Sequence, residues 1–387
     1  MRFRFTDDRN LHEKEEREAA LHRIDEWWAA FASHADRVDG CFSRGLKFDV
    51  PQFMGQLSAV DERLMWEFGP PLKGGKHRLV FTPERDRFLW PLVETLLARA
   101  PVGTGFEFYT GRLAAPLETA SRVVMGRTAI SLDGWTVMLS SNEDFGVDLT
   151  FLVPKAVAGL EGVRAAAFVA AETLLGEHLM DTFVDAIEVE STSPPGAKLN
   201  ALGKLPAEFT SLLGRHRLPA QTMLESMSER KHFVLELTPE EKSDYRRQDD
   251  LLVGTTAFLP MWQRAHSDLP FASERFSRCG ETFCYLKMDG SEGLDPQGFA
   301  DRGEIQDALE NALAKDLGAV IGGGTGLRYS YVELALLDVK KAVPAIREAL
   351  RAGRLPKRSW LLFHDSALEA EWIGIWDDSP PPPELPV

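Results

Sequence analysis

The sequence predicts an α+β protein built as two mixed α/β domains with mainly antiparallel sheets. Strand-like runs follow one another without an intervening helix between Ala129 and Phe151. Apolar residues at spacings of three and four mark helices between other strands. The chain has 387 residues, too many for one ordinary core and enough for two. A doubly wound parallel sheet would alternate strand and helix throughout, which this order does not.

In the first expected domain, residues 1–192, Leu21, Ile24, Trp28, Phe31 and Ala35 place an apolar stripe along a helix from about 11 to 37. A second helix is expected from Pro51 to about Trp66, because proline suits a first turn that has no N–H partner to lose. His77–Thr82 reads as a strand, Leu89, Leu92, Val93, Leu96 and Leu97 as a helix face, and Phe106–Tyr109 as a strand. Asp133-Gly134, between Ala129–Leu132 and Trp135–Leu139, reads as a tight hairpin, since a type I′ turn needs positive φ. Val147–Phe151 then alternates as a third adjacent strand, a helix is expected at 160–177, and Phe183–Val189 reads as an edge strand. The run Ser191–Gly196, with Pro194 and Pro195, sets the expected boundary, and 193–230 reads as a linker with one short helix near 206–213.

The second domain is expected over 231–378. Strands at Phe283–Met288, Ala319–Ile321, Leu327–Leu336, Trp360–Phe363 and Trp372–Trp376 are interrupted by helices whose inner faces carry Ile305, Leu309 and Leu313, then Val339, Val343, Ile346 and Leu350. Without the last strand this is β-α-β-β-α-β, the ferredoxin-like pattern. Residues 379–387 form a proline-rich tail, with Pro380–Pro383 expected as a solvated polyproline II end.

Charge narrows the function. The chain carries 44 basic and 59 acidic residues, a net charge of −15, and both halves are acidic. A general nucleic-acid binder needs a basic face to neutralise phosphates, so no nucleic-acid partner is expected. No apolar run reaches the roughly 18 residues of a membrane span, and no membrane role is expected. The stretch Met1–Glu18 is charged where a signal peptide would be apolar, so export by that route is not expected. Cys41, Cys279 and Cys284 make neither a disulfide framework nor a zinc set, which points to a reducing cytoplasm and to no metal or cofactor.

The candidate contact residues lie in the second domain. Gly322, Gly323, Gly324, Thr325 and Gly326 could turn successive N–H groups toward an anion, although no helix or Lys-Ser/Thr follows as in nucleotide loops, and a hairpin turn is the simpler account. Arg328 and Tyr329 follow directly. Arg351 and Arg354 belong with Arg347, Lys357 and Arg358 to a basic cluster at a helix C-terminus, where cations oppose the negative end of the dipole. Trp372 and Trp376 could share one face with Gly374 as a flat apolar platform, a feature typical of interfaces. His178, Asp181 and Asp185 resemble metal ligands only if the helix continues through them, and the apolar pattern after Phe183 argues that it does not. His364 and Asp365 are adjacent in a strand and point to opposite faces, a poor start for an acid–base pair. No HExxH, GxSxG or Cys-x-x-Cys motif occurs.

The stretch Gly322–Trp376, with GGGTGLRYSYVELALLD and PKRSWLLFHD…EWIGIW, resembles C-terminal segments of uncharacterised bacterial proteins. The first domain, with WEFGP and LTFLVP, resembles uncharacterised bacterial domains of the same sort. Some such domains occur among polymorphic-toxin immunity proteins, and the ferredoxin-like pattern is similar to that of regulators that inhibit ribonucleases by binding. The resemblance covers about half of the chain and carries over no catalytic residue. Together with the acidic balance and the missing catalytic motifs, it implies a non-catalytic, cytoplasmic bacterial protein, an immunity or inhibitor protein that neutralises a basic protein partner, whose capture acidic surfaces would speed. The alternative is an enzyme or small-ligand binder that uses residues 322–326 and the nearby arginines on an anionic ligand.

Overall fold

The structure, a computed structural model, describes residues 1–215, 217–220, 231–313 and 316–383. Two compact units divide the chain: Glu15–Arg215, and a second made of Met1–Lys14 together with His216–Val387. The fold is α+β in both. Among the described residues no helix is long and apolar enough to cross a membrane.

The first helix runs from Leu11 to Arg44, beyond its expected end, and from Glu15 onward it belongs to the unit Glu15–Arg215. Strands β1 (Met65–Gly69), β2 (Arg78–Thr82) and β3 (Glu107–Thr110) form one sheet, with β1–β2 antiparallel and β2–β3 parallel. Trp27, Trp28 and Phe31 of the first helix pack on Phe81, Phe106 and Phe108, and Trp28 Nε1 donates to the Leu96 carbonyl at 2.7 Å. The helix expected from Pro51 to Trp66 is shorter. It ends at Met54, continues as a 3₁₀ turn to Ala59, and leaves Trp66 in β1.

Strands β4 (Thr136–Ser141), β5 (Val147–Leu152), β6 (Val184–Glu190) and β7 (Asn200–Ala201) form a second sheet in the order β6-β5-β4-β7, with β5–β6 parallel. The hairpin expected at Asp133-Gly134 lies instead between β4 and β5. There Asn142 Oδ1 accepts from the N–H groups of Asp144 and Gly146 at 3.1 and 2.8 Å. Ala129 is the left-handed cap of an unexpected helix, Leu117–Thr128, so Ala129–Leu132 is not a strand. Ile130 and Leu132 are nevertheless buried, and the alternation they create in the sequence comes from a loop that reaches the core. Ala166, Ala167, Ala170 and Ala171 form the buried face of the helix Val163–Leu175 and pack with Ala120 and Val124. Leu205 and Phe209 of the helix Leu205–Gly214 join this core, so the compact unit continues past residue 192 to Arg215. Part of the expected linker, residues 221–230, lies outside the described residues.

The other unit contains β8 (Phe233–Glu236), β9 (Leu251–Thr256), β10 (Thr282–Asp289), β11 (Gly318–Gly326), β12 (Tyr329–Leu336), β13 (Ser359–Phe363) and β14 (Trp372–Gly374). All neighbours are antiparallel in the order β14-β13-β10-β12-β11-β9-β8. The expected strand–helix order occurs from β10 to β13, within a sheet that β14, β9 and β8 widen. One face carries Cys284, Leu286, Met288, Val332, Leu334, Leu336 and Leu361 against Ile305, Leu309, Ile346 and Leu350 of the two long helices. Each such side chain stabilises the fold by roughly 1.5–3 kcal/mol relative to exposure.

Residues 1–14 belong to this unit. The N–H groups of Phe3, Arg4 and Phe5 donate to the buried Glu371 carboxylate at 2.6, 2.9 and 2.8 Å, and the Phe5 ring stacks on Phe363 at 4.8 Å. The run 380–383 is solvated only in part: Pro381 is exposed, but Pro380 accepts from Trp360 Nε1 and Pro382 is buried. Residues 384–387 of the tail lie outside the described residues.

Candidate functional site

The second face of the wide sheet is polar yet buried. Antiparallel register sets Tyr285 beside Glu333 and Leu362, Lys287 beside Tyr331 and Trp360, and Asp289 beside Tyr329. Strand alternation puts all of them opposite the apolar core. The segment 244–250 covers the row. Asp250, fully buried, accepts from the N–H groups of Arg328 and Tyr329 at 2.9 and 2.8 Å and from the Tyr331 hydroxyl. Burial, and then the Asp250 charge, push the Tyr331 phenol far up. Lys287 donates to the Tyr245 carbonyl, and burial pulls it down to about 8.

Glu333 accepts from His364 Nε2 at 2.6 Å and from Gln248 Nε2. Burial works to raise the Glu333 carboxyl, but the charge and hydrogen bond of His364 outweigh it and hold the group below its ordinary value. His364 therefore pairs across the sheet and not with Asp365, which instead holds Ser273. His266, stacked on Trp262 at 3.8 Å, is lowered by burial.

The enclosed space on this face, between Arg246, Arg247, Lys287 and Glu369 and under Pro382 and Pro383, measures about 20 Å³. That is room for one water and for no substrate. No sequence motif announces this row. Tyr285 and Lys287, and Tyr331 and Glu333, alternate with the apolar residues that mark their strands, and the covering segment has no motif of its own.

An open groove of about 720 Å³ lies beside the row, between Asp289–Pro296 and Arg354–Arg358. Its cations are already partnered. Asp289 Oδ2 accepts from Arg328 Nη2 at 2.8 Å and from Arg358 Nε at 2.7 Å, and these contacts outweigh burial to hold its carboxyl well below the ordinary range. Arg358 also reaches Asp244 at 3.0 Å and the Tyr329 hydroxyl at 2.6 Å. Arg354 donates to Gln297 at 2.6 Å, with Asp295 at 3.7 Å, and Lys357 meets Asp378.

Of the residues singled out in the sequence, Arg328 and Arg354 line this groove and Tyr329 lies beneath Arg358. Lys357 and Arg358 line it too, while the glycines, Arg351 and the tryptophans go elsewhere. Gly322, Gly323 and Gly324 are not a turn. They are buried in β11 between β9 and β12, and a Cβ on Gly322 would stand 2.0 Å from the Thr255 carbonyl oxygen. The turn itself is Leu327-Arg328. Thr325 accepts from Arg302 at 2.7 Å. Arg351 donates to the Ile375 carbonyl at 2.8 Å and to Asp377 at 2.6 Å, so it closes the end of the sheet.

Trp372 and Trp376 form no platform. Trp372 is buried with Tyr285 and Trp360 under the Arg2 guanidinium, 3.7 Å away, while Trp376 packs on the helix-side core and donates to the Leu355 carbonyl at 2.8 Å. In the unit Glu15–Arg215, His178 meets Trp90 edge-on, Asp181 lies 3.6 Å from Arg85, and Asp185 accepts from Asn142 at 2.7 Å, so these three residues have separate neighbours. No family model, curated protein or solved structure matches this chain.

Proposed function

We propose that the protein binds a basic protein partner and blocks it, as an immunity or inhibitor protein does, without carrying out a reaction of its own. The observation behind this reading is how the chain uses its charge. The arginines that an anionic ligand would need are engaged by Asp289, Asp244 and Asp295, while the chain keeps a net charge of −15. A field of that sign speeds encounter with a positive surface and turns away acidic ones. The reading places the protein in a bacterial cytoplasm.

The test is capture on the tagged protein at low salt, salt elution, and assay of the captured partner with and without the purified chain. A stoichiometric basic partner whose activity falls at equimolar addition supports the proposal. A chain that binds no protein, and is instead stabilised by phosphate or a nucleotide, overturns it in favour of an anion site in the groove.

A further inference from the structure

Strand β8 is one edge of the wide sheet, and among the described residues no strand pairs with its outer side. Phe233 and Val234 are 49% and 66% exposed, and Leu237, Leu252 and Val253 beside them are exposed as well. Sheets ordinarily blunt such an edge with charge, proline or a covering element, because its free N–H and C=O groups template pairing.

The parity of the edge is fixed. Glu236 stands opposite Val253, and the Leu237 N–H donates to the Leu252 carbonyl at 2.8 Å. Phe233, Leu235 and Leu237 therefore bond inward to β9 and its continuation, and Val234 and Glu236 turn their N–H and C=O groups outward.

Two copies of this edge fit one another in a single register. When Val234 exchanges bonds with the partner's Glu236, the antiparallel pair is centred on Leu235. Phe233 then stands beside the partner's Leu237, Leu235 beside the partner's Leu235, and one unbroken apolar row forms on one face. Lys231 comes level with the partner's Pro239, next to the partner's Glu240 and Glu241, and all three charged residues are exposed. Sliding one way faces Glu236 with the partner's Glu236, and sliding the other way faces Leu237 with the partner's Lys231. Like charges opposite one another destabilise a strand pair, and apolar and opposite-charge pairs stabilise it.

We propose that the protein self-associates through an antiparallel β8–β8 contact that joins two seven-stranded sheets into one. The contact uses the same surface on both copies and so closes as a dimer. Because both copies are acidic, salt strengthens this contact, whereas it releases a basic partner.

The test is sedimentation of the full chain at tens of micromolar in high salt, with Val234→Pro and Leu235→Cys variants. Val234→Pro removes an outward N–H and leaves the bonds to β9 in place, as edge prolines do. The wild type is expected to sediment as a dimer, and Val234→Pro as a monomer with unchanged circular dichroism. Facing residues of a non-hydrogen-bonded pair lie about 4.5 Å apart at Cα, within disulfide reach. Leu235→Cys is therefore expected to form a reducible dimer under mild oxidation, above the baseline of the wild type with Cys41, Cys279 and Cys284, and Val234→Cys is not. A monomeric wild type, or a dimer that survives Val234→Pro, overturns the proposal. If Val234→Pro loses its circular dichroism, the Leu235→Cys cross-link decides, and its absence overturns the proposal. A monomer that loses a basic partner on Val234→Pro assigns the edge to that partner instead and likewise overturns self-association.

Discussion

The Lys287 ammonium lies over the ring of Tyr329, 4.0 Å from its centroid, with its side chain fully buried. The carboxylates of Asp250, Asp244 and Asp249 pull its pKa up, yet burial wins and sets it at about 8. The unfolded chain would hold the same proton to a pH of about 10.4. A base lowered on folding costs stability, and that cost is complete below about pH 8 and gone above about pH 10.4. Lys287→Met is therefore expected to gain on the wild type at pH 7 and to lose most of that gain by pH 10. The change in the difference is on the order of 2 kcal/mol, read from urea melts of both proteins at both pH values. A difference that does not move with pH would count against a charged, buried Lys287.

Asp181 gives the opposite sign in the other unit. Burial, and then repulsion from Glu177, raise it to about 6, with Arg85 and Arg87 opposing. An acid raised on folding contributes stability below its unfolded value, near pH 3.9, and loses it as pH rises through about 6. Asp181→Asn is expected to be more stable than the wild type at pH 8 by about 2 kcal/mol and nearly equal to it at pH 4. Thermal melts at the two pH values check this.

Gly326 leaves no room for a side chain, because an added Cβ would lie 2.2 Å from Asp250 Oδ2. Gly326→Ala must displace the carboxylate that accepts from Arg328, Tyr329 and Tyr331, and a loss of about 3 kcal/mol or more is expected in chemical denaturation. Gly126, in the helix Leu117–Thr128, meets nothing within 4 Å, so Gly126→Ala is expected to stabilise by up to about 1 kcal/mol. Equal effects of the two substitutions would refute this account of the glycines in β11.

Asp289 accepts from both Arg328 and Arg358, and its own side chain is nearly buried. Asp289→Asn leaves Arg328 and Arg358 to share Asp244, and a cost of about 2 kcal/mol is expected at pH 7. A carboxyl held low on folding contributes above its unfolded value, near pH 3.9, and that contribution fades on acidification. The gap between variant and wild type should therefore narrow toward pH 3 in denaturant melts.

Legibility in the sequence followed periodicity. The helix stripes at Ile305–Leu313 and Val339–Leu350, and the strands around Phe283, Tyr331 and Trp360, could be read because each has one apolar face. The glycines of β11 misled, since a run of glycine resembles a turn when the approach of Thr255 and Asp250 cannot be seen. Val234, Leu252 and Val253 lie on strands that no motif announced, and β8 and β9 were missed with them. The arginines of the basic cluster are close in the sequence, but their partners Asp377, Asp289 and Asp244 lie between 26 and 114 residues away along the chain. Spacing carries no information about contacts of that kind.

The contacts of Met1–Lys14 have a consequence for the order of events during synthesis. Arg2, Phe3 and Phe5 leave the ribosome long before Trp372, Glu371 and Phe363, which receive them. At typical elongation rates the leading residues wait roughly 20–70 s for their seat. The 201-residue unit between them, Glu15–Arg215, can complete its own core in that interval. A nascent chain stalled between Arg215 and Phe363 would therefore carry a finished Glu15–Arg215 unit while Met1–Lys14 still lacks its seat.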